Sequence, residues 1–375
     1  MKTPNSERIH ITLFGNCNSG KSSLINALTG EQTAIVSHIA GTTTDPVKRA
    51  VELTDVGAAV LIDTPGLDDN TQLGQLRTEQ SRKALLTTDI AIVLLPVAES
   101  FIEEIRALDI PIIAVAPKAD CNNTLAPQYS QLNPISVSST TGEGLDALRA
   151  AIASLVQSNE RLLTEDICNN GDCVVLVMPQ DSAAPKGRLI KPQVEVLREL
   201  LDRRCTAICC QTEELQQTLA ALSSPPQVII TDSSAFAAVK PLTPETTKLT
   251  SFSILFAAYK GDITLFREGA KRMLELKSDA RILIAEACVH TPQNEDIGRV
   301  KLPRLLRKRL GDDITIDTVG GADFPEDLSP YDLIIHCGAC MATRRYVISR
   351  LKKAKAQGVP MTNYGVAIAS LLGIE

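Results

Sequence analysis

The sequence predicts an α/β protein, a P-loop domain followed by two smaller α/β domains. Three observations carry that expectation. Short apolar runs alternate with amphipathic stretches along the whole chain; a complete phosphate-binding loop follows the first run; and two groups of cysteine and histidine stand at the carboxyl ends of two late ones. With 375 residues, 44% of them hydrophobic, the chain is long enough to fill two or three cores in series.

The apolar run Ile9 to Phe14 reads as a strand, and Gly15-Asn16-Cys17-Asn18-Ser19-Gly20-Lys21-Ser22 follows it in the G-x-x-x-x-G-K-S pattern. Glycines let backbone N–H groups wrap a polyphosphate. Lys21 adds a point charge at its β and γ oxygens, the Ser22 hydroxyl is a magnesium ligand, and a helix from Ser23 to Leu28 points its N-terminus at the phosphates. Next comes the polar stretch Gly41-Thr42-Thr43-Thr44-Asp45, suited to a switch loop. Val60-Leu61-Ile62 reads as a second buried strand, ending in Asp63-Thr64-Pro65-Gly66, whose Asp holds magnesium and whose Gly senses the γ-phosphate. Ile110 to Ala116 is a third strand, before Pro117-Lys118-Ala119-Asp120 and then Ser138-Ser139-Thr140-Thr141-Gly142-Glu143-Gly144.

In order and spacing these segments resemble the five G-motifs of the GTPase superfamily. That likeness implies GTP and magnesium held by Gly15, Asn18, Ser19, Gly20, Lys21, Ser22, Ser23, Thr42, Thr43, Asp63, Gly66, Lys118, Asp120, Ser138 and Ser139, with Lys21, Thr43, Asp63 and Gly66 serving hydrolysis. Within the superfamily the chain is most similar to the tRNA-modifying MnmE/TrmE class, which has Asn where this loop has Asn18 and a Gly-Thr-Thr switch. The resemblance implies a potassium ion supported by Asn18. Leu67 stands where Ras-like enzymes carry a catalytic Gln, so potassium would do part of an arginine finger's work. In the base-recognition motif Pro117 replaces the usual Asn. Asp120 remains to accept from guanine.

Composition narrows the class further. A net charge of −6 and 3% aromatic residues leave neither a basic footprint nor stacking platforms, so no nucleic-acid role is expected. No run approaches the ~18 apolar residues that span a bilayer, and Met1-Lys2-Thr3-Pro4-Asn5 has no apolar signal core. A cytoplasmic protein without membrane partners is expected, and its ten cysteines are then thiols rather than disulfides. Cys17, Cys121, Cys168, Cys173, Cys205, Cys209 and Cys210 read as structural thiols.

Beyond residue 158 the alternation continues. Strand Cys173 to Met178, helix Gln193 to Arg203, strand Thr206 to Gln211 and strand Val228 to Ile230 lead to the apolar segment Leu249 to Tyr259, where Phe252, Leu255 and Phe256 suit either a core or an interface. Then follow helix Leu265 to Leu276, strand Arg281 to Ala287, helix Leu302 to Leu310, strands Ile314 to Val319 and Asp332 to Ile335, helix Thr343 to Gln357 and a closing helix Val366 to Leu372. Cys288-Val-His290 lies past one strand. After 45 residues, His336-Cys337-Gly338-Ala339-Cys340 lies past another, so the two groups can converge on a soft metal. Zinc and a 4Fe-4S cluster both satisfy this spacing.

Cys288-x-His290, His336-Cys337-x-x-Cys340, Thr343-Arg344-Arg345 and the tail Gly358 to Ala369 together resemble the HydF family, the maturation GTPases of FeFe-hydrogenases. The likeness covers essentially the whole chain. It implies a GTPase domain at 1–158, a dimerisation domain at 165–258 and an iron–sulfur cluster domain at 260–375. It further implies a 4Fe-4S cluster on Cys288, Cys337 and Cys340, with the fourth position held by a histidine, His290 or His336, by solvent or by another exchangeable ligand. The implied function is a homodimeric scaffold that holds a di-iron precursor, made with two radical-SAM maturases, and delivers it to apo-hydrogenase. Arg304, Arg307, Lys308, Arg309, Arg344 and Arg345 would suit an anionic cargo, although most read as a solvated helix face. The alternative is a tRNA-modifying or redox-sensing GTPase with a structural metal site.

Overall fold

The computed structural model describes residues 8–30, 46–68, 72–121, 126–157, 161–179, 189–287, 296–321, 323–339 and 342–373, of which 72–77 by backbone alone. The chain divides into two compact units, Met1–Glu160 and Arg161–Glu375.

The first unit runs β1 (Ile9–Gly15), α1 (Lys21–Thr29), β2 (Val47–Leu53), β3 (Gly57–Asp63), α2 (Gln72–Leu85), β4 (Ile90–Leu94), α3 (Glu99–Ala107), β5 (Ile112–Pro117), β6 (Ile135–Val137) and α4 (Leu145–Gln157). Its six strands lie in the order β2-β3-β1-β4-β5-β6, all parallel except β2. Alternate residues of β1 and β4 feed opposite faces. Ile11, Leu13, Ile92 and Leu94 pack with Leu24 and Ile25 of α1 and Leu148 and Ile152 of α4. Phe14, Ala91 and Val93 pack with Leu85 and with Phe101, Ile102 and Ile105 of α3. Burial on both faces explains why these strands read as unbroken apolar runs.

The second unit contains two four-stranded parallel sheets. One is built from β7 (Cys173–Val177), α5 (Lys191–Asp202), β8 (Thr206–Cys210), α6 (Leu215–Ala220), β9 (Val228–Thr231), α7 (Phe236–Val239) and β10 (Lys248–Ser251), in the strand order β10-β9-β7-β8. The segment Leu249 to Tyr259 divides at Ser251. There the side chain accepts from the Ile254 N–H and starts α8 (Phe252–Lys260). Phe252, Leu255 and Phe256 are buried against Val174, Leu176 and Leu200. Of the two readings of these side chains, core or interface, core is the one observed.

The other sheet follows α9 (Ile263–Glu275) and comprises β11 (Arg281–Ala285), a π-helical turn Ile297–Lys301, α10 (Leu302–Leu310), β12 (Thr315–Val319), β13 (Leu333–His336), α11 (Arg344–Ala356), β14 (Met361–Asn363) and α12 (Tyr364–Leu371), ordered β12-β11-β13-β14. Gly269 lets α9 approach β14: a Cβ there would stand 2.3 Å from the Met361 carbonyl oxygen. Register then fixes the site. Ala285 pairs with His336 and His336 with Asn363, so Glu286, Cys337 and Tyr364 each follow the last residue of three adjacent strands.

Candidate functional site

At the first sheet the loop after β1 has the strained geometry of a phosphate cradle. Asn18 and Gly20 are left-handed, at φ 57° and 100°, and α1 begins without a side-chain cap, leaving its first N–H groups to an anion. Lys21 is buried and donates from Nζ to the Gly15 and Asn16 carbonyls at 3.0 and 2.8 Å. Burial lowers its pKa, while Asp63 pulls it back upward. The Ser22 hydroxyl donates to Asp63 Oδ2, and burial raises the Asp63 carboxyl above its ordinary value. Asp63 Oδ1 and Ser19 Oγ are buried with no hydrogen-bond partner among the described residues. An orphaned carboxylate oxygen beside a serine hydroxyl fits a magnesium ion. Gly66 lies against the loop so closely that a Cβ would meet Cys17 Sγ at 2.2 Å. Asp68, not singled out from the sequence, accepts from the Cys17 N–H at 2.6 Å.

Thr42 and Thr43 lie outside the described residues. Lys118 closes β5 at φ 60°, and Asp120 sits in the turn Ala119–Cys121. A hydrogen bond from Ser138 holds the exposed Asp120 carboxyl below its usual pKa. Ser138 Oγ also accepts from Thr141 N at 3.1 Å, so the loop 138–144 is tied to the base-recognition turn. Ser23 is half-buried in the first turn of α1, and Ser139 half-buried beside Ser138.

At the third sheet the centre is Cys337. Its sulfur accepts from the Ala287 N–H at 3.1 Å and the Ala339 N–H at 3.4 Å. Those two residues immediately precede Cys288 and Cys340 in the sequence. Cys288, His290 and Cys340 themselves lie outside the described residues, and among the described residues no group of three or more metal-binding side chains assembles. Ala339 is left-handed at φ 49°, and buried Lys260 donates to the Ala339 and Ala342 carbonyls at 2.6 and 2.8 Å, bracketing the segment that carries Cys340. A sulfur cradled by backbone N–H donors fits the thiolate of an iron–sulfur ligand.

His336 has another task from the ligand role expected of it. It is the last residue of β13 rather than just past it, and it is fully buried. Nδ1 is 2.8 Å from the Cys337 carbonyl, which can only accept, so Nδ1 carries the proton and Nε2 accepts from Arg350 at 3.1 Å. Burial and the neighbouring guanidinium lower its pKa to about 4. With both nitrogens engaged, His336 braces the strand end. Arg350 stacks on Phe324 and Tyr346 and also donates to the Glu286 carbonyl. It was not legible in the sequence, where it is one cation among many on an amphipathic helix. Arg304, Arg307, Lys308 and Arg309 are exposed on α10, the solvated face expected of most of the basic residues. Arg344 donates to the Tyr259 carbonyl. Of the other thiols, Cys168 and Cys205 are buried, while Cys121 and Cys209 are exposed.

The fold and first site define a P-loop GTPase domain followed by further α/β sheets. Residues 10–118 match the domain family described as 50S ribosome-binding GTPase. Residues 163–261 match the hydrogen maturase F dimerization domain and 264–375 the hydrogen maturase F tetramerization domain. These two domains together span more than half of the chain, which belongs to the hydrogen maturase F family, HydF. Relatives of the GTPase part include the tRNA modification GTPase MnmE of Neisseria meningitidis serogroup A, 36% identical over 155 residues, covering 39% of this chain and 34% of that one. The MnmE of Halorhodospira halophila is 34% identical over 164 residues, covering 40% and 35%. The chain thus spans about a third of the length of these curated relatives. Among solved structures, a single-residue variant of Aquifex aeolicus Era bound to GDP.AlF4- is 26% identical over 42% of this chain and 60% of that one, with a TM-score of 0.36. Among the described residues no helix is long and apolar enough to cross a membrane.

Proposed function

We propose that the protein is a GTP-hydrolysing scaffold that binds a 4Fe-4S cluster, holds a di-iron precursor and delivers it to apo FeFe-hydrogenase in the cytoplasm. One observation carries this reading: Ala287 and Ala339, the residues that precede Cys288 and Cys340 in sequence, both donate to the sulfur of Cys337. Cys288, Cys337 and Cys340 would hold the cluster, which when bound supplies an iron corner with a replaceable ligand. His290 is the remaining histidine for that corner. The chain's own groups support the strand end: Lys260 holds the Ala339 and Ala342 carbonyls, and Arg350 with His336 braces the end of β13. Boundaries at 1–158, 165–258 and 260–375 separate nucleotide, association and cluster work, and copies associate through the last two. Adding anaerobically loaded protein to apo-hydrogenase is expected to start hydrogen evolution; silence with cluster and cargo both present removes the delivery step.

In the GTPase domain, Asp120 and Lys118 would take the base, Ser22 and Asp63 magnesium, and Asn18 a potassium ion. The left-handed backbone of Asn18 in the loop supports that placement. GTP hydrolysis is expected to run about tenfold faster in potassium than in sodium, the share one added cation supplies to transition-state charge. Asn18→Ala should abolish the difference. Equal phosphate-release rates of the unaltered protein in the two salts would exclude the potassium site.

A further inference from the structure

The segment that follows Asp63 is fastened at three points. The Thr64 hydroxyl donates to the Leu13 carbonyl at 2.6 Å, buried Ser81 of α2 donates to the Pro65 carbonyl at 3.1 Å, and the Leu67 N–H donates to the Gly15 carbonyl at 3.3 Å. Gly66, between the last two, lies so close to the phosphate loop that a Cβ there would stand 2.8 Å from the Cys17 nitrogen. Asp68 is the first residue beyond this fixed stretch, and its Oδ1 accepts from the Cys17 N–H at 2.6 Å.

That bond sets an anion on a loop built to take anions. Cys17 belongs to the run of backbone N–H groups between Gly15 and Gly20 that wraps a polyphosphate. The same carboxylate lies within the field of Lys21, whose pKa burial lowers and Asp63, Cys17 and Asp68 pull back upward. In loops of this pattern the lysine reaches the β- and γ-phosphates, and the glycine of the D-x-x-G turn, here Gly66, faces the γ-phosphate. The Asp68 carboxylate therefore stands on the side of the loop that a third phosphate would enter. GDP ends one phosphate short of it. Asp68 is exposed, so it can leave the Cys17 N–H without uncovering any core.

We propose that Asp68 is a specificity-determining residue that sets the preference between GTP and GDP: its carboxylate and the γ-phosphate, like charges meeting at the Cys17 N–H, exclude one another. GTP then binds by displacing the carboxylate, and GDP leaves it in place. This deepens the reading of the loop as a GTP site and rests on it. Displacement frees the chain beyond Leu67, and loss of the γ-phosphate on hydrolysis lets the carboxylate return.

The test measures dissociation constants of the full chain, with magnesium present, for GDP and for a GTP analogue that resists hydrolysis. Unaltered protein, Asp68→Asn and Asp68→Glu are compared, with circular dichroism as the folding check. Asp68→Asn keeps the shape and removes the charge; it is expected to bind the analogue about tenfold more tightly, the size of one charge-assisted contact, while GDP changes by less than about twofold. Asp68→Glu keeps the charge and should keep the original ratio. A merely structural loss would move both nucleotides together. A folded Asp68→Asn with an unchanged ratio overturns the proposal while leaving the GTP site in place. No binding of either nucleotide by the unaltered protein overturns both.

Discussion

Cys337→Ala is expected to strip the cluster, taking reconstituted iron from about four per chain to near none. The sulfur of Cys337 is where the two backbone donors meet, and those donors belong to the residues before Cys288 and Cys340. Alanine would remove one ligand and also the acceptor that draws the two segments together, leaving two N–H groups to find other partners at about 1 kcal/mol each or more. Folding should survive, because the core of this sheet is carried by Ile282, Ile284, Leu333 and Ile335. Iron and sulfide assays after anaerobic reconstitution, with circular dichroism as the folding check, decide it. Cys209→Ala, at an exposed position of β8 in the other sheet, should retain full iron. Stoichiometric zinc and no reducible iron in the unaltered protein would sink the cluster reading.

Lys21→Ala is expected to lower GTP turnover by about a hundredfold or more, the usual loss when a preorganised charge at the transition state is removed. Lys21 is an ammonium already taken out of water and held by two loop carbonyls, so its desolvation is met in folding rather than during the reaction. Steady-state phosphate release at saturating GTP is the measurement. Turnover within about threefold of the unaltered protein would remove Lys21 from the machinery. Asp63→Asn should act through the metal instead, with raised magnesium demand.

The nucleotide loop was legible because its chemistry is local. Strand, glycine-rich turn and helix are consecutive in sequence, and period-2 burial of Ile11 and Leu13 against Phe14 writes the sheet into the residues themselves. The division at Ser251 was not legible, since strand β10 and helix α8 are both apolar and periodicity alone does not separate short runs. Asp68 is silent in the sequence because an acid after a loop glycine has no signature until it meets Cys17 51 residues away.

By itself, then, the sequence determined the α/β class, the phosphate-binding loop, the candidate thiolates and the family, because each depends on residue type at short spacing. Tertiary structure alone decided what Cys337 stands beside. Strand register sets Glu286, Cys337 and Tyr364 in one row, and a buried arginine from α11 takes the histidine that spacing had offered as a ligand. Such juxtapositions come from parallel strands joined by long crossovers. The groups that share the edge are then dozens of residues apart, and only the packing of the sheet makes them neighbours.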